Sequence, residues 1–153
     1  MEDTTEKLTI TDMSEREFGV KDVAENILRR LIEQGGRCVG TTPGVHGENC
    51  SYYCDAYNPE RMCAVGLVLE DPKKVQEHFP VDSLDTVIRE GQYCLSEEER
   101  ENLAYYSDVL IELQNFHDNG HKSSTANTVH HLEKMGVSPI LLRRAEKVLR
   151  PGG

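Results

Sequence analysis

The sequence predicts an α+β fold: a single, mostly helical domain carrying one small antiparallel β-hairpin. Three observations carry that reading. Apolar residues recur at helical spacing in several separate stretches. Two β-leaning runs, 51–53 and 62–69, flank the turn signal Asn58-Pro59-Glu60-Arg61. Ser, Pro and Gly punctuate the ends of the helical stretches. The 153 residues match the length of one domain and suffice to bury a core without disulfide or metal staples. A flexible segment is expected over 1–19 and a compact domain over 20–150.

In chain order, residues 1–19 are polar and acidic, with a short strand expected around 8–10. Val20, Val23, Ala24, Ile27, Leu28 and Leu31 then form one helical stripe, which Gly35 and Gly36 end. Residues 37–49 hold Pro43, Gly44 and Gly47 and read as a loop. The hairpin follows over 51–69, with Gly66 as a bulge or close approach and Asp71-Pro72 closing the second strand. A lone hairpin is marginal in water, so it should pack on the helices.

Ser83 caps a short helix over 84–89, and Gly91 ends it. Ser96 and Glu99 make a capping box that opens the longest helix, with Leu103, Tyr106, Leu110, Leu113 and Phe116 as its stripe. Asn119-Gly120 breaks that helix. A helix over 125–135 presents Val129, Leu132 and Met135, and Gly136 caps it. Ser138-Pro139 opens the last helix, whose inner surface is Leu141, Leu142, Ala145, Val148 and Leu149.

The formal net charge is -10, which favours solubility and opposes nonspecific attachment to nucleic acid or anionic membrane. The charge is uneven. Residues 1–118 hold 25 acidic and 11 basic side chains, whereas 119–153 hold two and six. An acidic body thus joins a basic tail. No run approaches the length of a membrane helix, and no signal peptide is read at the start. A cytoplasmic setting with reduced thiols is expected.

Several short motifs occur together: Cys63-Ala-Val-Gly66 followed by Leu67-Val68 and Asp71, Glu90-Gly91, and Leu113-Gln114 with His117-Asp118 at a helix end. Together they resemble a loose group of small phage and bacterial proteins, over about 20–135. The chain departs from that pattern at Cys50–Cys54, where an extra Cys and a longer loop occur. The resemblance implies a packed hairpin and a phage setting, in which small acidic proteins block host defences, as anti-CRISPR proteins do.

Four candidate sites follow from the residues. Carboxylates Asp82, Asp85, Glu90, Glu97, Glu98 and Glu101 would steer a basic protein partner, with Tyr52, Tyr53 and Tyr57 as aromatic anchors. Arg143, Arg144, Lys147 and Arg150, on the second helix of a helix–turn–helix-like pair, would meet DNA instead. Cys50, Cys54 and Cys63, with Cys38 or His46, have the chemistry of a zinc site, although a second tight ligand pair is lacking. Cys63 with His117 and Asp118 is the nearest approach to a nucleophilic triad, and spacing gives it little support. The blander alternative in each case is a solvated charged face or a buried thiol. The expected function is noncatalytic protein binding, with a phage inhibitor of a host defence or nucleic-acid-handling complex as its specific form. A DNA-binding regulator and a zinc-stabilised module are the alternatives.

Overall fold

The computed structural model describes residues 6–15, 18–36, 39–41, 48–50, 61–79, 83–119 and 123–149. Over these residues the chain is a helical domain. Its helices are α1 (Ile10–Glu15), α2 (Val20–Gln34), α3 (Pro72–His78), α4 (Leu84–Glu90), α5 (Glu97–Tyr105), α6 (Ser107–Asn119), α7 (Ser123–Lys134) and α8 (Pro139–Leu149). The strand pairing among the described residues is one three-residue antiparallel ladder. It joins β1 (Val39–Thr41) to β2 (Glu48–Cys50), with Val39 opposite Cys50. The α+β expectation, with a hairpin over 51–69, is therefore corrected to a helical domain. Residues 51–60, the first half of that hairpin, lie outside the described residues.

The second half, 62–69, is not a strand. It turns at Ala64-Val65 and continues as a 3-10 turn over Gly66–Val68. Every residue from Cys63 to Leu69 is buried. Backbone groups buried without a ladder need other partners, and helix side chains supply them. Gln34, the last residue of α2, accepts from the Met62 amide at 3.0 Å and donates its own amide to the Met62 carbonyl at 2.6 Å. Gln114 of α6 accepts from the Val65 amide at 3.2 Å, and Glu99 of α5 accepts from the Glu70 amide at 2.8 Å. Three helices thus hold an apolar plug whose β-leaning composition reflects burial, not sheet pairing.

Local capping explains most helix boundaries. Thr9 and Asp12 form a reciprocal box at α1: the Thr9 amide donates to the Asp12 carboxylate at 3.0 Å, and the Asp12 amide donates to the Thr9 hydroxyl at 3.2 Å. The strand expected at 8–10 is thereby replaced by a helix start, with Leu8, Ile10 and Met13 buried. Asp71 caps α3 by accepting from the Lys74 amide at 3.1 Å, with Pro72 in the first turn. Ser83, Ser96 and Ser138 accept from Thr86, Glu99 and Leu141, three residues on in each case. Gly35 ends α2 at φ 92, a left-handed position that glycine occupies without a Cβ clash.

The expected long helix from Ser96 is two helices with a turn at Tyr106. The Tyr106 ring is buried, and its hydroxyl donates to the Phe18 carbonyl at 2.6 Å. That bond ties the α5–α6 junction to the entry of α2. The core lies where α2 packs on α8, α6 on α7, and α1 on α5. It gathers Ile27, Leu28, Leu103, Leu113, Phe116 and Leu142, among others.

Candidate functional site

The acidic surface is built where α4, the turn Gly91–Tyr93 and the first turn of α5 pack together. Arg100 fixes this corner. Its guanidinium donates to the carbonyls of Ile88 at 2.8 Å and Arg89 at 3.1 Å, satisfying orphan groups at the end of α4. Gly91 lets the turn close tightly, since a Cβ there would lie 2.9 Å from the Leu95 Cδ1.

Of the carboxylates expected to steer a partner, Asp85, Glu90, Glu97, Glu98 and Glu101 are all exposed. Asp82 lies outside the described residues. Asp85 and Glu90 share Arg89, at 2.9 and 3.4 Å, so their charge is partly offset. Glu97, Glu98 and Glu101 have no such partner among the described residues, and Glu97 and Glu98 stand in the first turn of α5, where the helix dipole favours them. Their neighbour Glu99 turns inward and is 1% exposed. Burial pushes its carboxyl above the usual 4.5, and the nearby charges of Glu70 and Asp71 push the same way. Bonds from the Glu70 and Ser96 amides oppose that rise.

The expected aromatic anchors Tyr52, Tyr53 and Tyr57 lie outside the described residues. Tyr93, which composition and periodicity did not single out, ends the turn between α4 and α5 and is 79% exposed. Its signal was present in the sequence: a tyrosine between Gly91 and Ser96, two helix-boundary residues, belongs to neither apolar stripe.

A second surface lies along α6. Grooves of about 360 and 320 Å³ meet at Asp108 and Met135. Val20 and Tyr105 line the first, and Ile111, Glu112 and His131 line the second. Glu112 holds the His131 Nδ1 at 2.7 Å. Tyr105 is 79% exposed and packs edge-on against Tyr106, with centroids 4.8 Å apart.

The remaining candidates are placed as follows. Arg143, Arg144 and Lys147 are exposed on the outward face of α8, and none is paired among the described residues; Arg150 lies outside them. α7 and α8 are joined through Gly136, at φ 98. Of the zinc candidates, Cys63 is buried and its thiol accepts from the Gly66 amide at 3.3 Å. Cys50 ends β2 and pairs through its backbone with Val39, whereas Cys38, His46 and Cys54 lie outside the described residues. Among the described residues no group of three or more His, Cys, Asp or Glu is placed to hold a metal ion. His117 and Cys63 are both buried. Among the described residues no helix is long and apolar enough to cross a membrane. Compared with protein-family models, curated proteins and solved structures, the chain matches none.

Proposed function

We propose that this protein acts without catalysis, by binding a protein with a basic surface at the α4–α5 corner. One observation carries the reading: Tyr93, 79% exposed, projects from a turn flanked by exposed Glu90, Glu97 and Glu98. An exposed tyrosine offers a partner a rigid, amphipathic anchor at small entropic cost. An exposed ring on the same corner as exposed carboxylates suits arginine in particular, which can stack on a ring face and pair with acids. The exposed carboxylates Glu97, Glu98 and Glu101 of α5 add long-range steering toward a positive surface. The resemblance to phage proteins makes a host defence or nucleic-acid-handling complex the fitting target, since such complexes present basic surfaces.

Capture from nuclease-treated bacterial lysate tests this. Wild type, Tyr93→Ala, and the double variant Glu97→Lys with Glu98→Lys are compared at moderate salt, with captured proteins identified by mass spectrometry. The expected result is one basic protein held by the wild type and lost from the double variant. Equal capture by all three chains, or no specific capture, refutes the proposal for that host.

A further inference from the structure

We infer that the α6 groove of one copy receives helix α8 of a second copy. The two surfaces complement each other. The groove presents Ile111, 42% exposed, with Asp108 and Glu112, and Tyr105 lines the adjoining groove that it meets at Asp108. The outward face of α8 presents Ile140, 64% exposed, followed by Arg143 and Arg144 one turn on. An apolar residue one helical turn from opposite charge therefore occurs on both sides. Residues three and four apart share a helix face, so an antiparallel approach sets Ile140 beside Ile111 and the arginines beside Asp108.

Other features favour a second copy as the occupant. An exposed Ile140 with arginines one turn on has the composition of a contact with an apolar centre and a charged rim. The chain is acidic overall, and contact of its basic tail with an acidic face offsets the repulsion between two copies. The groove and α8 are different patches, so the contact either closes as a reciprocal pair or extends from copy to copy. It also lies beyond the Tyr106 turn from the Tyr93 corner, so it does not depend on the binding proposed there.

Charge exchange tests the inference better than salt does. Salt weakens the local attraction but also screens the repulsion between two acidic chains. Sedimentation velocity of the full chain is measured over a wide concentration range for three proteins: wild type, Arg143→Glu with Arg144→Glu, and Asp108→Lys. The wild type should gain mass with concentration, and each variant should associate at least about tenfold more weakly. Mixing the two variants should restore association, because the acidic helix of one then faces the basic groove of the other. Far-ultraviolet circular dichroism confirms that each chain is folded. Should Asp108→Lys fail that check, Ile140→Asp, at a solvent-exposed position, takes its place, and loss of its self-association is the expected result. A wild type that stays monomeric overturns the inference, as does association that neither variant weakens. A monomeric chain that shifts duplex DNA, and stops doing so with the arginine reversals, also overturns it and assigns the α8 face to DNA.

Discussion

The carboxylate of Glu99 accepts the amide of Glu70 at 2.8 Å while itself buried to 1% exposure. An ionisable group is thus used where a neutral acceptor would serve. Burial raises its pKa, so the folded state binds the proton more tightly than the unfolded chain does. The associated stability is full below the unfolded value near 4.5 and is lost as pH rises through the higher folded value.

Glu99→Gln keeps an acceptor for the Glu70 amide and removes the charge. Its stability relative to wild type should rise as pH increases above the ordinary carboxylate range, because the wild type alone must then bury a charge. Thermal melts over that rise in pH give the trend, and a gap that does not change with pH contradicts the assignment. Glu99→Ala should instead lose about 1–3 kcal/mol, because the helix–segment bond is gone.

Gln34 serves Met62 through both ends of its amide. Gln34→Ala should cost about 2 kcal/mol in urea unfolding at neutral pH. Gln34→Glu should be at least as damaging there, since a carboxylate would face the carbonyls of both Met62 and Gly36. Acidification should restore part of the loss by returning a donor. Equal behaviour of the two variants at low and neutral pH would count against this pairing.

Tyr106→Phe removes the hydroxyl that donates to the Phe18 carbonyl and keeps the ring in the core. A loss of about 1 kcal/mol is expected. Tyr105→Phe, at an exposed neighbour, should stay within about 0.5 kcal/mol of wild type. Chemical denaturation of the two variants side by side checks the contrast.

Tyr93→Ala should leave stability within about 0.5 kcal/mol of wild type, since the ring covers little of the core. Against the purified partner it should weaken binding by about 1–2 kcal/mol, measured by titration calorimetry. A large drop in melting temperature would mean that the ring is a structural element.

The helices were legible wherever the apolar stripe was long. Val23, Ala24, Ile27, Leu28 and Leu31 of α2 are buried as their spacing requires, and so are Leu141, Leu142, Ala145 and Leu149 of α8. Val20 belongs to the same spacing, yet at the helix entry it is 40% exposed and lines a groove. The hairpin failed for a definite reason. A short continuous apolar run has no period, so it fits a central strand and an irregular buried plug equally well. What decides between them is the hydrogen-bond partner, and Gln34, Glu99 and Gln114 lie 28 to 49 residues away in sequence. α3 was readable: Asp71-Pro72 is an N-cap followed by a first-turn proline, a start signal where a strand end was expected. At the binding surface, the exposed acids followed from the capping pattern, whereas Arg89 as their shared counterion became evident only with α4 in place.

The buried plug has a kinetic consequence. Its backbone bonds to side chains of α2, α5 and α6, so it cannot become protected until all three helices have assembled around it. Long closures of this kind come late in folding. In deuterated solvent the amides of Met62, Val65 and Glu70 should therefore exchange through the same large-scale opening as the core helices, although they lie in a stretch with almost no regular structure of its own.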